Sequence, residues 1–229
     1  MFELSPHDLF AITLSAQVAT IATLLSLPVG FGLAWLLVFS RIPGKSFLDG
    51  LINLPLVLPP VVVGYLLLLT FGRNGWLGGV LSQFNIQLIF SWKGAVLASG
   101  LIGLPLMVRS IRIGMEQIDP HLLHAARTLG ATNLGTLLTI VLPLSLPAMF
   151  SGATLSFARS LGEFGATMIL VGNIPGQTQT IPLAIYDYSN TPGGETQALN
   201  LCLVSITLSY LVLLINEKTL RRVRSRQSV

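Results

Sequence analysis

Long uncharged stretches limit what this sequence can fold into more than any other feature. The first runs from Leu9 to Ser40 without a charged side chain, and about 20 apolar residues suffice for an α-helix to cross a bilayer. Similar stretches recur along the chain, and in lipid only helices and closed barrels satisfy the backbone. With 52% hydrophobic and 10% charged residues among 229, the composition excludes an ordinary soluble domain, which carries about a quarter charged residues.

The apolar stretches predict an all-α integral membrane protein with about five transmembrane helices in a single domain, residues 1–229. Three prolines, Pro55, Pro59 and Pro60, lie inside the second span. Each removes a helical hydrogen bond, which is tolerated where neighbouring helices cover the break. The predicted spans cover residues 9–39, 51–70, 92–112, 137–158 and 196–217.

A further uncharged stretch, Phe164 to Tyr186, is long enough to span but is interrupted by Gly, Pro and polar residues. Charge placement decides whether it crosses, because cytoplasmic loops are enriched in Lys and Arg. Basic residues lie beside and within residues 113–136 and follow residues 196–217. Both places are therefore expected on the cytoplasmic side, with an even number of spans between them. Residues 164–186 are expected to enter from the outer side and return as a re-entrant segment.

The same rule predicts an outer N-terminus and a cytoplasmic C-terminus. The residues before Leu9 are acidic, unlike the basic start of a cleaved signal peptide, so the first span is expected to be retained. The formal charge of +4 comes from basic loops and the C-terminal residues. Membrane topology explains this charge without nucleic acid as a partner.

Residues 119–143 form a polar island between apolar stretches and predict a helix, a glycine break and a second helix. Asp119 is a suitable N-cap, and Pro120 suits the first helical position. Gly130 can leave the helical conformation where other residues would be strained. Ala125 and Ala126 are small enough to let another protein surface come close. On these residues alone, an ordinary loop between two spans is an equal alternative.

The order His124-Ala125-Ala126, then Gly130, then Ile140-Val141-Leu142-Pro143 resembles the signature of the permeases of binding-protein-dependent ABC importers. The resemblance implies a MetI-like type I importer fold, in which residues 113–136 form a cytoplasmic coupling stretch docked on the ATP-hydrolysing subunit. His124 departs from the family's usual Glu, which leaves the polar part of the ATPase contact open. The residues carried over to this coupling role are Asp119, His124, Ala125, Ala126, Gly130, Ile140, Leu142 and Pro143.

Arg159 and Glu163 are the charged pair expected at membrane depth. They are four residues apart, so a helix brings them together, and charges in a membrane core are usually paired. Two interpretations stay open: an ion pair that only fixes this segment, or a direct role in a transport pathway. Gly162 and Gly165 are further pathway candidates, and both would permit close helix packing, including packing across a dimer axis.

Two longer stretches narrow the family resemblance: INLPLVLPPVVVGYLLLLTFGRNGWLG at 52–78 and SFARSLGEFGATMILVGNIPGQTQTIPLAIY at 156–186. They resemble the molybdate permease branch, and the sulfate permeases share the GEFGA and NIPG pieces. The resemblance implies a bacterial inner-membrane permease that translocates molybdate, with sulfate or tungstate as alternative cargoes. It also implies a homodimer of this subunit, two cytoplasmic ATPase subunits and an extracytoplasmic binding protein.

Other classes of protein have weaker support. Residues 43–46 resemble the end of a P-loop, but Phe39 takes the place of its first glycine and no strand and helix flank it. An ion-coupled secondary transporter needs coupling carboxylates or repeats, and Glu163 is the one carboxylate expected at membrane depth. His121 and His124 could form a metal pair, but no third ligand is evident. No metal, cofactor or catalytic cluster is therefore expected in this chain.

Overall fold

The computed structural model describes residues 4–40, 42–73, 75–84 and 86–227, with all of their side chains except those of Ser82 and residues 219–227. Every regular element in this part of the chain is a helix, which confirms the predicted all-α class. A π-helical turn, Leu137–Val141, joins α7 to α8. The α-helices are α1 (Pro6–Phe39), α2 (Lys45–Val57), α3 (Pro60–Phe71), α4 (Trp76–Gln83), α5 (Trp92–Glu116), α6 (Pro120–Thr128), α7 (Asn133–Thr136), α8 (Leu142–Leu161), α9 (Gly165–Val171), α10 (Ile181–Ser189) and α11 (Glu195–Gln227).

Four helical segments of the described chain are long and apolar enough to cross a bilayer. They are α1, α5, the continuous helix Asn133–Leu161, and α11 as far as Lys218. A fifth is gained if the bent pair of α2 and α3 counts as one span. These segments overlap the five predicted spans, and the points where the membrane boundaries fall within them stay predictions.

The predicted span 51–70 is two helices instead of one. α2 and α3 meet at an angle of 112°, where Leu58 is extended with φ −70° and ψ 142°. Pro59 and Pro60 have no N–H, and a residue before proline avoids the helical conformation, so the helix cannot continue through them. Pro55, by contrast, stays within α2. The proline pair therefore breaks this segment completely.

Residues 164–186 contain no helix long enough to cross a bilayer. α9 has seven residues and α10 has nine, against the about 20 that crossing needs. The loop between them turns at Gly172 and Gly176, where φ is 70° and 73°. α9 packs against α3 and α5, with Ala166 and Leu170 fully buried. Two short helices, of which α9 is buried and α10 is buried in its first half, fit the re-entrant segment that charge placement predicts.

The interface between α5 and α8 is packed through small residues. A Cβ atom added at Gly103 would lie 2.5 Å from Ser156 Oγ, and one added at Gly114 would overlap the Cβ of Ala148. Ser110 Oγ also donates to the Ala148 carbonyl oxygen at 3.0 Å. Such close backbone approach is typical of helix pairs in membranes. We therefore expect α5 and α8 to move as one body.

Candidate coupling and translocation sites

The predicted coupling stretch, residues 113–136, begins in the last turn of α5 and continues through α6, whose N-terminus is capped. The Asp119 side chain accepts a hydrogen bond from the His121 N–H at 2.8 Å, and Pro120 is the first helical residue. Because a helix leaves its first N–H groups without internal partners, this cap fixes where α6 begins. The capping role of Asp119 is confirmed, and its role in ATPase coupling stays a prediction.

Gly130 ends α6 in a left-handed conformation, with φ at 81°. The Ala131 N–H donates to the Ala126 carbonyl oxygen and the Gly130 N–H to the Arg127 carbonyl oxygen, both at 3.0 Å. This pair of bonds is a Schellman motif, in which glycine avoids the strain that a Cβ would bring. An added Cβ would meet no other atom within 4 Å. Backbone conformation alone therefore favours glycine here, and the predicted break is confirmed.

Large apolar side chains stand exposed on and after α6. Leu129 is 88% exposed and Leu134 is 64% exposed. Ala125 is exposed, whereas Ala126 is buried against its own chain, so only the first alanine of the pair is open to another protein. Large apolar side chains exposed within a polar stretch are candidates for an interaction surface. We call this exposed set the coupling surface: Leu122, His124, Ala125, Leu129 and Leu134.

His121 and His124, the candidate metal pair, are both exposed on α6. Among the residues that the structure describes, no group of three or more His, Cys, Asp and Glu side chains lies close enough to hold a metal ion. The fold therefore supplies no third ligand to this pair from the described part of the chain.

A π-helical turn, which the sequence did not reveal, connects the coupling stretch to α8. The Leu142 N–H donates to the carbonyl oxygen of Leu137, five residues earlier, and Pro143 follows directly. A proline ring clashes with the carbonyl group four residues before it, and a wider turn relieves that clash. Ile140 and Leu142 are half-buried and Pro143 is exposed. Three predicted coupling residues thus belong to this turn and the start of α8.

Arg159 and Glu163 join the end of α8 to the start of α9. Arg159 Nη1 lies 2.7 Å from Glu163 Oε2, and the Glu163 side chain is 1% exposed. Its other oxygen, Oε1, accepts a hydrogen bond from the Ala166 N–H at 2.9 Å. The predicted pairing is confirmed. Because Oε1 accepts from an N–H group in the first turn of α9, Glu163 also caps this helix, a structural role that the sequence did not indicate.

The two candidate glycines beside this pair, Gly162 and Gly165, differ in how closely other residues pack against them. A Cβ added at Gly165 would lie 2.9 Å from the Cβ of Pro60, at the start of α3. One turn further along α3, a Cβ added at Gly64 would lie 2.7 Å from the Cα of Ala166. Gly162 is exposed, and its nearest neighbour would be 3.9 Å away. Close packing is confirmed for Gly165, and for Gly162 it is not found against any residue that the structure describes.

Charged groups tie the C-terminal end of α5 to α2. Arg112 lies 2.9 Å from Asp49 Oδ2 and 2.8 Å from Glu116 Oε1. Asn53 Nδ2 donates to Asp49 Oδ1 at 2.9 Å. Because these side chains are partly exposed, the pairs stabilise the fold modestly. Sequence spacing gave no signal for the contact between Arg112 and Asp49, which are 63 residues apart.

A family model decides what kind of protein has these features. The model of the inner membrane component of binding-protein-dependent transport systems matches residues 26–225. The chain belongs to this family. It is therefore a multi-pass inner-membrane protein and the membrane-spanning component of an importer.

Relatives of this permease match nearly the whole chain. The molybdenum transport system permease protein ModB of Escherichia coli K12 is 54% identical over 217 residues, 94% of this chain and 95% of that protein. ModB of Haemophilus influenzae is 52% identical over 220 residues, 96% of each chain. The sulfate transport system permease protein CysT of Salmonella typhimurium is 37% identical over 182 residues, 80% of this chain and 66% of that protein.

Solved structures give the fold. The permease resembles a chain of the MetNI methionine ABC transporter in inward-facing conformations, with a TM-score of 0.73 and 16% identity, over 96% of this chain and 99% of that one. It also resembles a chain of a bacterial ABC transporter that imports the polysaccharide alginate, with a TM-score of 0.77 and 17% identity, over 96% and 80% of the chains. The predicted MetI-like type I importer fold is confirmed.

Proposed function

We propose that this chain is the permease subunit of an ATP-driven importer that translocates molybdate across the inner membrane. The proposal is carried by the 54% identity to a molybdenum permease along 94% of the chain. The identity to a sulfate permease is 37% along 80% of the chain. Tungstate and sulfate are the alternative cargoes, because all three are tetrahedral dianions.

The proposed assembly contains two copies of this subunit, two cytoplasmic ATPase subunits and an extracytoplasmic molybdate-binding protein. Dependence on a binding protein is part of the family description. ATP hydrolysis is assigned to a separate subunit, because the P-loop-like residues 43–46 lie where a turn enters α2 and not between a strand and a helix. With the N-terminus outside, charge placement puts the coupling surface in the cytoplasm.

In this proposal, ATP hydrolysis is coupled to transport through the helices that begin at the coupling surface. Asn133–Leu161 is one continuous helix that starts beside this surface and ends at the Arg159–Glu163 pair. Its close packing against α5 lets a displacement at the cytoplasmic end reach α9 at the other end. Transport then depends on two states of the whole assembly, each favoured by a different state of the ATPase.

Contact between this chain and the oxyanion is proposed to be weak, because the binding protein captures the cargo first. Arg159 is 30% exposed and can donate transiently to an oxyanion, together with backbone N–H groups near Gly162 and Gly165. Glu163 is a positioning residue in this proposal, since its carboxylate is buried and holds Arg159 and α9.

ATP-dependent uptake into vesicles tests the proposed cargo. The vesicles contain this subunit, its ATPase and its binding protein, and molybdate, tungstate and sulfate compete. We expect molybdate and tungstate to compete at low concentration and sulfate not to compete, with no uptake when ATP is replaced by a non-hydrolysable analogue. Equal transport of sulfate would overturn the assignment of molybdate while leaving the importer class intact.

A further inference from the structure

Arg109 is an unneutralised cation on the inner half of α5. It lies seven residues before the helix ends at Glu116, and its side chain is exposed. No ion pair joins it to any residue that the structure describes. Arg112, one turn further on, is instead held between Asp49 and Glu116. The two neighbouring guanidinium groups therefore differ in their ion pairing: Arg112 has two carboxylate partners, and Arg109 has none among the described residues.

Arg109 lines a cavity of about 310 Å³ between α2 and α5, together with Asp49, Asn53, Val108 and Arg112. Asp49 is paired with Arg112 at 2.9 Å and accepts from the Asn53 amide at 2.9 Å. Both carboxylate oxygens of Asp49 are thus already engaged within the wall of the cavity. The lining residues carry one carboxylate and two guanidinium groups, and Arg109 is the only one of these three charged groups without an ion-pair partner among the described residues.

We propose that this cavity is a transient oxyanion site at the cytoplasmic exit of the transport path, with Arg109 as the group that contacts the anion. A guanidinium group binds oxyanions through several charge-assisted hydrogen bonds. Asp49 lies in the same wall and repels a second negative charge, which favours release over tight binding. The inference rests on the proposed import function. It adds a second arginine to the path, at the opposite end from Arg159.

A lipid headgroup phosphate has the same oxyanion chemistry as a free tetrahedral dianion. Both bind an exposed arginine at a membrane surface, so the charge of the cavity alone does not tell which of the two anions occupies it. Cargo enters from the protein's own aqueous path and competes for the site in any lipid, whereas a headgroup with net negative charge is available only when anionic lipid is present. The two sources are separated by changing the lipid and the free anion independently.

Thiol labelling inside the cavity tests the proposal in the complete transporter. Cys202 is the only cysteine of the chain, so Cys202→Ser gives a background in which Asn53→Cys is the single reporter of the cavity. Methanethiosulfonate reagents of similar size and opposite charge, one sulfonate and one trimethylammonium, are compared in phosphatidylcholine nanodiscs without nucleotide. With Arg109 present, we expect the sulfonate to be favoured over the trimethylammonium by about tenfold more than in the Arg109→Gln protein.

Molybdate is then added as the competing anion, with phosphatidylglycerol nanodiscs as a second arm. We expect molybdate to slow labelling in phosphatidylcholine when residue 109 is Arg or Lys, and to have no effect in Arg109→Gln. Slowing by phosphatidylglycerol but not by molybdate would overturn the assignment to cargo. An identical charge preference in Arg109→Gln would overturn the site itself.

Transport by Arg109→Gln gives a second, independent measurement. We expect molybdate uptake per ATP hydrolysed to fall several-fold while stimulation of the ATPase by the binding protein is unchanged, and Arg109→Lys to restore uptake. Equal loss of uptake and ATPase stimulation would show a structural role and overturn the proposal. Failure of the unmodified protein to take up molybdate would instead overturn the proposed function.

Discussion

The coupling surface and the junction of α8 with α9 each combine a short helix with a glycine, but different forces hold them. α6 is shaped by local backbone rules, through the Asp119 cap and the left-handed Gly130. The junction is shaped by contacts between distant parts of the chain, above all between Gly64 and Ala166 and between Gly165 and Pro60.

This difference matches what each region is proposed to do. A surface that docks a partner must keep its shape while its side chains stay exposed, and backbone capping does this without burying them. A junction that transmits a displacement must be stiff, and close packing provides that stiffness. Substitutions at α6 and the coupling surface should therefore change coupling more than stability. Substitutions at the junction of α8 with α9 should change both.

The largest loss of stability is expected for Gly64→Val. Its Cβ would lie 2.7 Å from a backbone atom of Ala166, so α3 and α9 must separate, at a cost of about 3 kcal/mol. Thermal unfolding in detergent measures the effect. Gly32→Val is the matched control, because a Cβ at Gly32 meets nothing within 4 Å. Equal unfolding temperatures for the two variants would show that the junction is not held by packing.

Glu163→Gln is expected to cost less, about 2 kcal/mol, because Arg159 loses its partner but is partly reached by water. The glutamine oxygen can still accept from the Ala166 N–H, so the cap of α9 is kept. Chemical denaturation of Glu163→Gln, Arg159→Gln and the double variant measures the coupling between the pair. Unchanged stability together with lost uptake would place Glu163 in the cargo pathway instead.

Gly130→Val is expected to cost about 1 kcal/mol, since it forces a β-branched residue into a left-handed conformation without a clash. Membrane insertion should stay intact while ATP-dependent uptake is lost, because the end of α6 changes shape. Gly130→Asn is the control, as asparagine tolerates this conformation. Normal uptake by Gly130→Val would contradict the importance of this break for coupling.

The smallest effect is expected for His124→Ala. The side chain is exposed, so stability should change by less than about 0.5 kcal/mol. The affinity for the ATPase subunit should fall by about fivefold, as loss of one polar contact at an interface costs about 1 kcal/mol. His7→Ala, at an exposed histidine of the opposite end, should leave that affinity unchanged. Equal effects of the two variants would remove His124 from the interface.

The difference between local backbone rules and contacts between distant residues also explains how much of the molecule was predictable from its sequence. The helix α6, its cap and its glycine end follow from Asp119, Pro120 and Gly130, since these residues act on their own neighbours. The ion pair of Arg159 with Glu163 was predictable for the same reason, from a spacing of four residues.

Features that depend on distant residues were not predictable in this way. The second role of Glu163, as a cap of α9, depends on how α9 turns back against α3. The contact of Arg112 with Asp49 joins residues 63 positions apart, and it leaves Arg109 as the free cation of the cavity. The prolines at 59 and 60 indicated lost helical hydrogen bonds, whereas the angle of 112° between α2 and α3 depends on the packing of both helices.

Amide hydrogen exchange of the permease in nanodiscs, with and without its ATPase subunit, tests the contrast between the two regions most directly. Exchange is slow where backbone is buried and bonded, so α9 should be protected in both states. We expect the ATPase subunit to slow exchange across residues 120–136 and to leave residues 165–171 unchanged. Unchanged exchange across residues 120–136 in a complex that still hydrolyses ATP would contradict the proposal that the ATPase subunit docks on the coupling surface, which lies within these residues.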